Sequence, residues 1–164
     1  VKRHANAHTD LAEILRHASP DTAALNADRI IGLDAVSAMN AIVSGTATEH
    51  DEQSALIAWA AMNEVAHPEL AQLFSIPNGG KRHIITAVRL KEEGLKSGVP
   101  DLMLAVARGK YHGLFIEMKR KQGRRSHEQT DWIARLRNFG YSALTCYGCD
   151  EAINAIMAYL AQEG

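Results

Sequence analysis

The sequence predicts a mixed α/β fold of the α+β kind: a mixed central sheet flanked by helices, preceded by a helical N-terminal extension. Three observations carry this. Apolar residues recur at helical spacing in several segments, two short apolar runs have the length and alternation of strands, and the two kinds of segment follow one another along the chain. The order reads helix, strand, helix, hairpin, helix, strand, helix, which places helices on both sides of a sheet. The 164 residues, 46% hydrophobic and 23% charged, match one core with an appendage and exclude a disordered chain.

Taken in order, Leu11, Ile14 and Leu15 have helical spacing, and Ser19-Pro20 reads as an N-cap followed by proline at the first helical position. From Asp21 to Val43, the apolar positions Leu25, Ile30, Leu33, Val36, Met39 and Ile42 serve one or two short helices broken near Gly32. Ser44-Gly45-Thr46 ends that run and marks the expected boundary between an extension, residues 1–47, and a main domain, residues 48–164. The next helix starts near Thr48 and lines up Glu52, Leu56, Trp59 and Asn63 on one stripe, so a carboxylate heads its apolar face. Leu73 to Ile76 is a short strand stopped by Pro77-Asn78-Gly79-Gly80, and a helix then runs through Ile84, Ile85, Val88 and Leu90 to Gly94. Asp101 to Val106 and Leu114 to Lys119 form a hairpin around Gly109. A helix with Trp132, Ile133, Leu136 and Phe139 follows Ser126, then a strand from Tyr141 to Tyr147 and a last helix from Glu151 to Leu160.

No apolar run is long enough to span a bilayer, and no N-terminal stretch has the order of a signal peptide, so the cytoplasm is the expected compartment. The chain starts with Val rather than Met, and a trimmed start or a fragment is expected. The net charge of −1 hides a segregation. Between Lys81 and Arg125 lie twelve Lys or Arg and four acids, and outside that block six basic and fifteen acidic residues. A basic block of this kind suits a polyphosphate ligand, because neutralising phosphates releases counterions. Cys146 and Cys149 form a Cys-Tyr-Gly-Cys pair between strand and helix. No proline follows it to complete a thioredoxin-like site and no His or Cys follows it to complete a zinc site, so two ordinary thiols are expected.

The chemistry concentrates in the hairpin. Alternation puts Leu114, Ile116 and Met118 on one face of the second strand and Phe115, Glu117 and Lys119 on the other. Burying a carboxylate and an ammonium in a central strand is costly unless something compensates them. A hairpin centred near Gly109 sets position 101 opposite position 117, so Asp101 and Glu117 become neighbours. Two carboxylates that close repel unless they share a proton or a metal, and oxygen ligands suit Mg²⁺ or Mn²⁺. Pro100 shapes the start of the strand, and Gly98 permits close approach of backbone to a ligand.

These residues resemble a known family. Gly98-Val-Pro-Asp101 followed by Ile116-Glu-Met-Lys119 resembles the PD-(D/E)xK nuclease core, and the surrounding sequence resembles its VRR-NUC (virus-type replication-repair nuclease) branch. Glu52-Gln53 leading to Trp59, Ile76-Pro-Asn-Gly-Gly80, Arg89-Leu-Lys-Glu-Glu-Gly94 and Ser126-His-Glu-Gln129 leading to Trp132 extend the match over about residues 49 to 160. The resemblance implies a restriction-endonuclease-like core in which Asp101, Glu117 and the Met118 carbonyl bind Mg²⁺ or Mn²⁺ and Lys119 positions or activates the attacking water. It implies a helical glutamate at Glu52, with Glu49 as the substitute one turn earlier. Gln129 matches a position near the site, and it also completes a capping box with Ser126; both roles stand open.

Asn78, Lys81 and Arg82 either present amides and cations to a phosphate or form a plain Asn-Gly turn. Arg120, Lys121, Arg124 and Arg125 read as clamps on a nucleic-acid backbone. His83 and His127 have no zinc-like spacing. The implied activity is a structure-selective DNA endonuclease acting on branched or four-way-junction (Holliday junction) DNA in repair, as a homodimer with no membrane attachment. The alternative is a non-catalytic nucleic-acid-binding module on the same fold.

Overall fold

A computed structural model describes residues 33–77 and 89–163 of the chain. The helices expected before Leu33, the start of the helix expected at Ile84, and the candidate phosphate contacts Asn78, Lys81 and Arg82 lie outside the described residues.

The first described helix, α1, spans Leu33–Val43. It stops at the expected place: Gly45 has φ +73, and Thr46 N–H donates to the Ala41 carbonyl at 2.9 Å. Helix α2, Glu49–Asn63, begins with a full capping box. The Thr48 side chain accepts from Asp51 N–H, and the Asp51 carboxylate accepts from Thr48 N–H at 2.8 Å. A 3-10 turn over Pro68–Gln72 leads into β1, Leu73–Ser75. Residues 89–92 are helical and end at Gly94, as the sequence predicts.

Strands β2, Leu102–Leu104, and β3, Leu114–Lys119, form the expected antiparallel pair. The pairing of Leu102 with Ile116 extends to Asp101 opposite Glu117, the register deduced from the sequence. The connection is longer than a tight turn. It is pinched by an isolated bridge between Arg108 and Tyr111, with Gly109 at φ +53. Helix α3, His127–Asn138, crosses to β4, Ser142–Tyr147, which pairs in parallel with β3; α4, Cys149–Leu160, closes the chain. The sheet order β1-β2-β3-β4 makes it mixed, with antiparallel pairs on one side of β3 and a parallel pair on the other.

The sheet is buried on both faces because β3 alternates two apolar sets. Leu114, Ile116 and Met118 pack with Leu56 and Trp59 of α2 and Ile153, Ile156 and Tyr159 of α4. Phe115 faces the other way, against Ile133 and Leu136 of α3 and Ala143 of β4. All six β3 residues are buried, so Glu117 and Lys119 sit inside the sandwich rather than on its rim. No helix among the described residues is long and apolar enough to cross a membrane.

Candidate active site

The site starts from one backbone fact: β3 carries Glu117 and Lys119 on the α3-facing side, and β2 begins next to them at Leu102. Asp101, just before β2, turns its Oδ2 onto the Met118 N–H at 2.8 Å. The loop that delivers it is fixed against α3. Trp132 Nε1 donates to the Ser97 carbonyl at 2.9 Å, and Pro100 is fully buried. Gly98 has φ +82, and a Cβ there would lie 2.7 Å from the Glu128 carbonyl carbon. The first turn of α3 therefore approaches closely enough at Gly98 to require glycine.

Lys119 holds the centre. Its Nζ lies 2.8 Å from Glu117 Oε1, donates to the Met118 carbonyl at 2.9 Å, and reaches Glu49 Oε2 of α2 at 3.4 Å. Burial works against the ammonium, yet Glu117, Glu49 and Asp101 outweigh it and raise its pKa, so Lys119 stays charged. The carboxylates feel the opposite balance. Desolvation raises the Asp101 pKa in spite of the Met118 N–H and Lys119. Desolvation also lifts Glu117 to about 7, with Lys119 pulling down and Asp101 pushing up.

Gln129 resolves its two expected roles by filling both. Its Oε1 accepts from Ser126 N–H at 2.8 Å to complete the capping box of α3, and its Nε2 donates to Glu117 Oε1. One amide ties the start of α3 to the buried carboxylate. Glu117 Oε1 thus has two donors, whereas Oε2 is buried with none. The hydroxyl of Thr145, the register partner of Glu117 on β4, is likewise buried without a partner. Sequence reasoning passed over Thr145; β4 in parallel register with β3 is the only signal that would have found it.

On α2 the two candidate glutamates make different contacts: Glu52 Oε2 accepts from Cys149 N–H at 2.6 Å and so caps the start of α4, while the carboxylate that reaches Lys119 is Glu49. Residues three apart on a helix lie about 60° apart around its axis, so a small rotation decides which one faces a neighbour, and the sequence holds no such information. Arg120, Lys121, Arg124 and Arg125 are all exposed in the loop between β3 and α3. The thiols of Cys146 and Cys149 are free and buried; desolvation raises both pKa values, that of Cys146 to about 12, which leaves them protonated and unreactive. His127 is exposed and pairs with Asp131 within its own helix.

Among the described residues, no three His, Cys, Asp or Glu side chains stand close enough together to hold a metal ion. The candidate donors include a main-chain group, however: Asp101, Glu117 and the Met118 carbonyl lie at the same end of β3, the carbonyl accepting from Lys119 Nζ. An oxygen-only set with an unpartnered buried carboxylate oxygen fits a hard divalent cation such as Mg²⁺ or Mn²⁺.

Comparison with known proteins bears on the family and the fold. The sequence profile of the VRR-NUC domain matches residues 37–150. A solved structure described as a VRR_NUC domain protein is similar at a TM-score of 0.62 and 30% identity, covering 71% of this chain and 90% of that one. A search of curated proteins finds no match.

Proposed function

Because the chain belongs to the VRR-NUC domain family, a family of nuclease-fold domains, we propose that it is a Mg²⁺- or Mn²⁺-dependent DNA endonuclease that cuts branched or four-way-junction DNA. The observation that carries this reading is the trio at one end of β3: half-buried Asp101 adjacent to buried Glu117, Lys119 buried and charged against Glu117, and one Glu117 oxygen without a partner. A divalent cation held by Asp101, Glu117 and the Met118 carbonyl would lower the pKa of water and offset charge on the phosphate.

The chain's own residues do the positioning. Gln129 and Lys119 both engage Glu117 Oε1, which orients the carboxylate and leaves Oε2 without a hydrogen-bond partner. Met118 N–H fixes Asp101 in the same way. Lys119 offers a fixed positive charge that orients the attacking water and stabilises the extra negative charge on the phosphate in the transition state. Glu49 supports Lys119 and takes the place of the helical glutamate that the resemblance assigns to Glu52. Arg120, Lys121, Arg124 and Arg125 hold the sugar-phosphate backbone without reading bases. The nuclease domain is taken as residues 48–164 with α1 packed before it, and a homodimer would address the two related strands of a four-way junction.

The test is incubation with labelled four-way, flap and linear duplexes in Mg²⁺ or Mn²⁺. Cutting is expected for the wild type and loss of it for Lys119→Ala; no cutting of any substrate, or undiminished cutting by the variant, rejects the reading. A binding module without turnover is the second reading, favoured by the absence of three clustered ligand side chains among the described residues. Calorimetry separates the two, since the nuclease reading requires Mn²⁺ binding that disappears in Asp101→Ala and Glu117→Ala.

A further inference from the structure

A cleft of about 480 Å³ lies beside the trio, between the α1–α2 turn and the carboxyl ends of β3 and β4, and the nuclease reading gives its Arg120 and Lys121 a backbone phosphate but leaves Tyr147 and Asp150 without a task. Its size falls within the roughly 300–1,000 Å³ typical of small-ligand sites. Arg120, Lys121, Tyr147 and Asp150 line it together with Thr46 and the buried Glu52, whose carboxylate is held by the Cys149 N–H. Resting on the nuclease reading, we propose that this cleft takes one unpaired nucleotide of the substrate strand next to the cut, its base stacked on Tyr147 and its phosphate on Arg120 and Lys121.

The strand register brings the two sites together. Tyr147 is the β4 partner of Lys119, and Gly148 N–H donates to the Lys119 carbonyl at 2.9 Å, so the cleft opens one residue from the trio. Tyr147 is 39% exposed although Cys146, Gly148 and Cys149 around it are buried. No ring among the described residues stacks on it. Arg120 and Lys121 have no acidic partner among the described residues. An exposed aromatic face beside two unpaired cations is the combination that binds single-stranded nucleic acid, because every base has a π-face and every link a phosphate. Asp150 at the rim adds an acceptor for an exocyclic amino group. A bare phosphate would use the cations and leave the ring and the carboxylate idle. A nucleotide uses all three.

The experiment walks 2-aminopurine, one position at a time, across the cleaved bond of four-way and flap substrates, with fluorescence and binding read in EDTA. The expected result is a large fluorescence change at one position beside the cut in the wild type, kept by Tyr147→Phe and lost by Tyr147→Ala, with binding roughly ten-fold or more weaker in the alanine variant. Wild-type circular dichroism and melting in the alanine variant establish that it is folded. A change that persists in Tyr147→Ala, or no position that responds in the wild type, overturns the proposal. Cleavage of the same substrates in Mn²⁺ is scored in parallel: cutting without the fluorescence signature removes the cleft alone, whereas the signature without cutting by the wild type removes the nuclease reading and leaves the cleft.

Discussion

Helix α2 carries two carboxylates three residues apart that the structure sends to different tasks, and exchanging each for alanine should separate them. Glu52→Ala removes the acceptor of the Cys149 N–H, a 2.6 Å bond at the start of α4. A buried amide left without a partner costs about 1–3 kcal/mol, and losing a negative charge from a helix N-terminus adds about 0.3–1 kcal/mol. Stability should therefore fall by about 1–4 kcal/mol. Glu49→Ala removes a contact 3.4 Å from Lys119 made by a side chain that is 47% exposed, and Lys119 keeps Glu117 and the Met118 carbonyl. Solvent screening limits that loss to about 1 kcal/mol or less. Activity should follow the reverse order. Removing a group that supports a catalytic residue lowers activity by roughly 10–100-fold, and this falls on Glu49→Ala. The assay pairs urea unfolding with single-turnover cleavage of a four-way junction in Mn²⁺, well below both melting temperatures. A Glu52→Ala protein with an unchanged urea midpoint and abolished cleavage would show that Glu52, not Glu49, serves the site.

Other outcomes follow from the same geometry. Since the folded Glu117 carboxyl, at about 7, binds its proton more tightly than the unfolded one at 4.5, the metal-free protein gains stability below pH 4.5 and loses it as pH rises through 7. Urea unfolding in EDTA should reveal a fall of up to about 3 kcal/mol across that window, flattened in Glu117→Gln. Gln129→Glu keeps an acceptor for Ser126 N–H but faces Glu117 with a second carboxylate. It should retain the α3 cap, seen as an unchanged helical circular dichroism signal, while cleavage drops by at least ten-fold, roughly the effect of 1.4 kcal/mol. Thr145→Val replaces a buried hydroxyl that has no partner, and it should raise metal-free stability by about 1 kcal/mol while slowing cleavage if that hydroxyl serves the site in the loaded state. Melting curves and cleavage rates on the same preparations check it.

Much of this was legible from pattern. The period-two alternation of β3 and the midpoint at Gly109 gave the strand faces and the Asp101–Glu117 register, because both depend only on local geometry. Helix starts at Thr48 and Ser126 were legible because capping chemistry is local as well. What stayed hidden depends on distant packing. The choice between Glu49 and Glu52 turns on how α2 is rotated against β3 and α4, and the role of Gly98 turns on how closely α3 approaches the loop before β2. The 3-10 turn at Pro68–Gln72 and the start of α4 at Cys149, two residues before the expected Glu151, were missed for a simpler reason: neither has an apolar period long enough to read.

The complete burial of β3 bears on how the protein opens and closes. Protein regions that yield first are those with few apolar contacts and exposed main-chain hydrogen bonds, and β3 has neither property. Its amides should exchange with solvent only when the whole sheet comes apart. Glu117 and Lys119 are accordingly part of the last structure to be lost on unfolding, and among the described residues the exposed loop at residues 120–126 and the turn at Gly45 are better placed to yield to a bound nucleic acid. Adaptation to a nucleic acid of another shape would then proceed by altering those two segments, with β3 left as it stands.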